Sequence, residues 1–268
     1  MKRLKHIVSF SGGVGSMLAG ERLIKRYGAE NVVFVFCDTS IEDDDLYDFV
    51  EAGSDLFGCE FVYLCDGRDP WQACADRKYM PNSRIAHCTV ELKGKVFAKW
   101  LVENYKAHEC IVHLGFDWTE AHRLVDSKKI YAPYKCFAPM CMAPYLTKTD
   151  MLHRLIDIGL WIPRMYKEGF SHNNCGGECP KAGQGHWKMM LDKRPDRYRR
   201  SEAKQEWLAE KLGAMKPFLR VTIDKKLVYM SLKEFREHIE AGKQCDLFDV
   251  GGCGCFSGEE RLAEMVAA

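Results

Sequence analysis

Apolar residues in the first half of the chain gather in short runs at residues 6–10, 32–37, 61–65 and 110–114, rich in Val, Ile and Phe, with His6, Ser9 and His113 as the polar positions in them. Runs of this length read as strands covered on both faces, since a strand with one wet face would alternate apolar and polar positions. Between them, residues 16–27, 41–57 and 90–105 carry apolar positions three and four apart, the spacing of amphipathic helices. The alternation predicts an α/β fold, a doubly wound and mainly parallel sheet with helices on both faces. Ligands in such sheets sit at the carboxyl ends of the strands, which draws Ser11, Asp38 and Gly115 towards one crevice.

Turn residues divide the remainder. Gly67, Pro70 and Pro81, with Trp71 and Tyr79 among them, make residues 66–81 a long excursion, predicted to lie over the site as a lid. Helical spacing returns at 147–159, with Gly159 as its stop, and again at 202–212. A small strand and a helix over 232–241 follow, then an end rich in Gly and Cys. The division this predicts is a main α/β domain over residues 1–190 and a small Cys-rich α+β extension over 191–268. No internal repeat or low-complexity segment interrupts it.

The segment Ser9-Phe10-Ser11-Gly12-Gly13-Val14-Gly15-Ser16 stands where the first strand turns into the first helix. Backbone N–H groups and the positive end of a helix converge there on one anion. Gly12, Gly13 and Gly15 have no side chain to hold a phosphate off the backbone, and Ser11 and Ser16 offer hydroxyl donors. No Gly-Lys-Ser/Thr follows and the glycines do not fit G-x-G-x-x-G, so this is neither of the common phosphate loops.

What the loop resembles is the S-G-G-x-x-S signature of the PP-loop superfamily, and the segments after it resemble the phosphoadenylyl-sulfate (PAPS) reductase-like branch. Cys37-Asp38-Thr39-Ser40 is similar to that branch's D-T-G, and His87-Cys88-Thr89-Val90-Glu91-Leu92-Lys93 to its R-C-T-x-x-L-K. Gly115-Phe116-Asp117-Trp118-Thr119-Glu120-Ala121-His122-Arg123 is similar to G-x-R-x-x-E-S-x-x-R. Pro144-Tyr145-Leu146, Tyr166-Lys167-Glu168-Gly169-Phe170 and Cys175-Gly176-Gly177-Glu178-Cys179-Pro180 resemble the tail motifs, and the matches keep their order over residues 6–200. The resemblance implies a PP-loop (HUP-like) fold. It also implies an adenine nucleotide held by Ser9, Ser11, Gly12, Gly13, Gly15, Ser16, Asp38, Thr39, Gly115 and Glu120, with Lys93 and Arg123 as catalytic cations.

Two departures bear on the chemistry. ATP-cleaving members of the superfamily carry Lys-Asp where this chain has Val14-Gly15, so Lys93, Lys95, Arg84 or Arg123 would have to supply the missing charge. Asp117 stands where the first arginine of its motif is usual.

Composition narrows the setting. The 268 residues carry a net charge of +1, which announces neither a nucleic-acid binder nor a membrane-surface protein. Only a short apolar run follows the basic start, so neither a signal peptide nor a membrane span is expected and the cytoplasm is the expected location. Lys193, Arg194, Arg197, Arg199 and Arg200, near Tyr198 and Trp207, form a tract able to touch nucleic-acid phosphates. Asp192, Asp196, Glu202 and Glu206 balance it, and a solvated helix face is the favoured reading.

Thirteen cysteines is a high and odd count, better suited to metal or redox chemistry than to disulfides. Cys175 and Cys179 lie in a Gly-rich turn before Pro180. With Cys88 and one of Cys136 or Cys141 they would make four thiolates, fitting a 4Fe–4S cluster or a structural zinc almost equally. The resemblance favours iron–sulfur, although His87 replaces one cysteine of the pair usual there and the downstream spacing is one residue longer. The competing reading makes Cys88 a packing residue and Cys175/Cys179 a redox pair. Cys37, Cys59, Cys65, Cys74 and Cys110 read as ordinary core residues, and His172 and His186 are not assigned to metal. Cys253 and Cys255, after Gly251-Gly252, resemble in position the reactive cysteine of a mobile reductase tail; with Cys245 they equally suit a second metal site or an ordered turn.

The expected function is ATP-dependent activation of a substrate by adenylation for sulfur transfer, with Mg²⁺ on the phosphates. The alternatives are a reductase that releases sulfite from an adenylyl sulfate by thiolate attack, and a silent nucleotide-binding module. Expected partners are the adenine nucleotide and a nucleic-acid (tRNA or DNA) substrate or a thiol reductant; a homodimer is compatible with the sequence.

Overall fold

A computed structural model describes residues 4–81, 87–215, 217–223 and 225–251. Strands β1 (Lys5–Phe10), β2 (Val32–Asp38), β3 (Glu60–Cys65), β4 (Cys110–Leu114) and β5 (Lys135–Phe137) form one sheet in the order β3-β2-β1-β4-β5, every neighbouring pair parallel. The chain steps outward from β1 to β3, then returns to add β4 and β5 on the other side, so the winding reverses between β1 and β4. That reversal opens a crevice at the carboxyl ends of these two strands.

Alternate strand residues feed two cores, because successive side chains of a strand point to opposite faces. Ile7, Val33 and Val35 pack with Phe97 and Leu101 of α4 (Val96–Asn104) and Ile130 of α5 (Ala121–Ile130). Val8, Phe34 and Phe36 pack with Met17 of α1 (Val14–Tyr27), Phe49 of α2 (Asp44–Phe57) and Leu155 of α6 (Lys148–Asp157). Each such fully buried side chain contributes about 1.5–3 kcal/mol. Three of the runs are thus strands covered on both faces, as expected, whereas no residue of the edge strand β3 is fully buried.

A third core joins residues on both sides of position 190. Trp71 of α3 (Pro70–Asp76) meets Trp187 of α7 (Gln184–Lys193), Tyr198 and Leu208 of α8 (Pro195–Leu212), and Phe235 of α9 (Leu232–Glu240). The antiparallel hairpin of β6 (Leu219–Ile223) and β7 (Lys226–Met230) adds Leu219 and Val221.

Several segments differ from their sequence reading. The excursion at 66–81 holds α3, started by Asp69 and Gln72 in a reciprocal cap with Pro70 at its first position, and Trp71 is buried in the third core rather than swung over a site. β5 spans only three residues, too short for a periodic signal. The basic tract is helical from Pro195 onward. Its Tyr198 is fully buried with its hydroxyl on the Leu232 carbonyl, and Arg194 is ion-paired with Asp43 and Glu168. The end of the described chain is pinned: Asp249 accepts from Gln184 N through its side chain and from Gly185 N through its carbonyl, at the start of α7. Cys253 and Cys255 lie outside the described residues.

Candidate nucleotide site

The loop between β1 and α1 closes on itself. The Ser16 hydroxyl donates to Gly13 O at 2.9 Å and accepts from Ser11 N at 3.3 Å. Gly13 is the N-cap of α1 and makes no side-chain cap, so the positive helix end faces outward. Gly12 has φ +76 and Leu46 beneath it, a conformation glycine adopts without strain. The loop faces a cavity of about 430 Å³ lined by Ser9, Ser11, Gly13, Gly15, Ser16, Gly115, Glu120 and Arg123, eight of the expected site residues. Leu114, Phe116 and Met151 give it an apolar wall of the kind a purine needs. A larger and open cavity of about 770 Å³ lies between α3 and α8, but no glycine loop or helix start converges on it. Volume alone does not find the site.

Strand order, winding reversal and a glycine loop at the reversal decide the fold. The chain has a doubly wound α/β fold with an all-parallel sheet. No known protein-family profile and no curated protein matches the chain. Solved structures similar to it include PAPS reductase from Candida auris in a phosphate complex, at 10% identity over 64% of this chain and 79% of that one, with a TM-score of 0.43. The NH3-dependent NAD synthetase from Campylobacter jejuni with nitrate is 15% identical over 80% of this chain and 85% of its own, with a TM-score of 0.41. The U34-tRNA thiolase from Methanococcus maripaludis with its 4Fe–4S cluster is 12% identical over 100% of this chain and 82% of its own, with a TM-score of 0.47. The strand order and loop of this chain, rather than these likenesses, carry the fold assignment.

The cavity has one cation that the sequence pointed to, Arg123, and one that it did not, Lys148. Arg123 lines it, paired with Glu120 and lying over the Phe116 ring at 4.2 Å. Lys148, the first residue of α6, also lines it, with its ammonium 5.2 Å from the centre of the Tyr166 ring. The Tyr166 hydroxyl in turn accepts from Val14 N at 3.2 Å. Lys93 is absent from the lining. Its side chain is 2% exposed and its Nζ lies 3.5 Å from Glu42, while Lys95 pairs with Glu91 at 3.2 Å. Arg84 lies outside the described residues.

Asp38 and Thr39 also stand off the cavity. Asp38 accepts from Tyr47 Oη and Ser40 N, each at 2.8 Å, and Thr39 donates to Glu42 at 2.9 Å. Tyr166, Asn173 and His172 line the cavity instead. Asn173 is 1% exposed; its Nδ2 donates to Gly12 O at 3.2 Å, and its Oδ1 has no partner among the described residues. Burial, with Lys148 and His186 close by, holds His172 down to about 4, so it faces the cavity neutral at pH 7. Only Tyr166 carried a sequence signal, through its motif.

The five expected metal ligands are distributed. Cys88 and Cys179 pack with the third core, whereas Cys136 and Cys141 pack beneath the sheet with α4 and α5. Burial pushes the Cys136 thiol up to about 12, and Cys141 donates to the Asp117 carbonyl at 3.1 Å. Among the described residues no group of three or more His, Cys, Asp or Glu side chains forms a metal site. Cys175 has φ 53, its N–H held by Glu42 and its sulfur 3.9 Å from Thr39 Oγ1. Asn174 lines the nucleotide cavity and Glu178 a second one of about 330 Å³, so the Cys175–Gly177 turn runs between the two.

Proposed function

We propose that the protein binds ATP with its phosphates on the Ser11–Ser16 loop and activates a substrate by adenylation for sulfur transfer. The observation that carries this reading is the charge of the cavity: Lys148 and Arg123 face it together with Asp117 and Glu120. The phosphate and sulfate of an adenylyl sulfate are anionic and gain nothing from the carboxylates. ATP comes with Mg²⁺, which takes one or two carboxylates plus phosphate oxygens, and Asp117, Glu120 and the Asn173 amide oxygen are the donors that fit it. Bound there, the metal would neutralise the phosphate charge; the loop N–H groups, Lys148 and Arg123 orient the triphosphate.

The second cavity beyond the Cys175 turn gives an acceptor substrate a place beside the nucleotide, with a cysteine between them. A nucleic-acid carbonyl suits that role, with sulfur from an external donor displacing AMP from the adenylated oxygen; a thiol reductant is the partner the alternative reading needs. In the alternative reading, the thiolate of Cys253 or Cys255 attacks the sulfate sulfur of a bound adenylyl sulfate and the adenosine phosphate leaves; a second thiol then attacks the resulting cysteine S-sulfonate, releasing sulfite and forming a disulfide. Pyrophosphate release from ATP, measured beside sulfite release from adenylyl sulfates, separates the readings. Pyrophosphate alone supports adenylation, sulfite alone the reductase, and neither leaves a binding module.

A further inference from the structure

The two loop positions that differ from the ATP-cleaving pattern are closed to functional side chains. Val14 is fully buried in the sheet core. A Cβ on Gly15 would lie 2.4 Å from the Gly115 carbonyl oxygen, and one on Gly115 would lie 2.5 Å from Ser16 N. These are backbone contacts between α1 and the turn after β4, so neither side can yield without parting the two segments. A charge and an oxygen donor for the phosphates must come from elsewhere in the chain.

We propose that Lys148 and Asn173 take over the two missing roles, Lys148 as the phosphate cation and Asn173 Oδ1 as the acceptor that orients a hydrated divalent metal on those phosphates. The proposal rests on the reading that this cavity holds a nucleotide triphosphate. Lys148 is exposed, yet its place is fixed twice. Thr147 and Asp150 cap α6 reciprocally, and Met151 and Leu155 anchor that helix in the core. Tyr166 then links Lys148 to the loop, its ring under the ammonium and its hydroxyl on Val14 N.

Asn173 is fixed by its other atom. Because Nδ2 is committed to Gly12 O, the amide is oriented and Oδ1 is the acceptor left over, buried against the cavity. A buried acceptor without a donor costs about 1–3 kcal/mol, and an ionised phosphate has no proton to give it. A water on a divalent cation does. Asp117 and Glu120, which line the same cavity, add the negative charge such a cation needs.

The test is calorimetric titration of the full chain with ATP, with and without Mg²⁺, and with adenosine. Lys148→Met should weaken ATP about 10–100-fold, as expected for one charge-assisted contact, and leave adenosine unchanged; Lys148→Arg should restore most of the loss. Asn173→Ala should abolish the gain in ATP affinity that Mg²⁺ gives. Should Asn173→Ala not fold, Asn173→Ser, whose hydroxyl can still donate to Gly12 O but which has no oxygen in the place of Oδ1, should reduce that gain likewise. Lys148→Met within twofold of the parent, or an Asn173 variant with an unchanged Mg²⁺ gain, overturns the proposal. If the parent protein binds no ATP, it is the nucleotide reading itself that fails.

Discussion

Glu42 holds the backbone N–H of Cys175 with one carboxylate oxygen and both the Thr39 hydroxyl and the Lys93 ammonium with the other. Cys175 has a left-handed φ of 53, followed by Gly176 and Gly177 with positive φ as well, and such backbone persists only where surroundings enforce it. The buried Glu42–Lys93 pair is that enforcement. Lys93, expected as a phosphate cation, is instead paired with the Glu42 that holds the cysteine turn.

Glu42→Ala is therefore expected to cost about 3–5 kcal/mol, because it takes the carboxylate from a buried ammonium and from two further donors. Urea denaturation measures this. A loss below about 1 kcal/mol would show that the pair does not hold the turn.

Gly15→Ala places a methyl group against the Gly115 carbonyl oxygen. Overpacking of this kind costs about 1–3 kcal/mol, and the loop must move to relieve it. The expected outcome is a folded protein by circular dichroism with ATP affinity reduced at least tenfold, a change of about 1.4 kcal/mol in binding. Unchanged affinity would separate the loop from the nucleotide.

Stability should fall with pH well before the carboxylates titrate. His6 Nδ1 and His113 Nε2 lie 3.0 Å apart, both buried, and burial pushes His113 down to about 3. The unfolded chain, with histidine near its ordinary value, binds protons that the folded chain refuses, so the stability is complete above about pH 6.5 and is lost as pH falls towards 3. The slope reaches about 1.4 kcal/mol per pH unit for each such group. Denaturation midpoints at several pH values from 7 to 4.5 should show the decline, and His113→Gln should flatten it.

Asp249 caps α7 from 65 positions away, and a Cβ on Gly185 would lie 2.2 Å from the Leu247 carbonyl oxygen. Asp249→Ala should cost about 1 kcal/mol, the usual value of a lost cap, and free residues 245–251 for proteolysis. Mass spectrometry of a brief protease digest reads the result; equal cutting of parent and variant would mean that the strap is not held by this cap.

Thiol alkylation at pH 8 should distinguish the cysteines. Cys65 is exposed, whereas burial pushes Cys37, Cys110 and Cys136 up to about 12 each. Since the thiolate is the reactive form, Cys65 should be modified in the folded protein and the other three only on unfolding.

The sequence by itself determined the layered architecture and the place of the loop. Val32 to Phe36 had to be a strand covered on both faces, and Gly12, Gly13 and Gly15 had to form the turn between a strand and a helix start, because periodicity and turn chemistry act over a few residues. Eight of the site residues expected from the sequence line one cavity for that reason.

Partner choice was decided by tertiary structure alone. Lys93 and Lys148 are both lysines near motifs, and nothing local says that one will be buried against Glu42 while the other is carried over the loop by Tyr166. Asn173 meets Gly12 across 161 positions, and Cys88 and Cys136 part company because different helices cover them. Such pairings follow from how distant elements pack. A charged side chain takes whichever opposite charge or desolvated backbone group the packing brings within a few ångströms, and spacing along the chain carries no record of it.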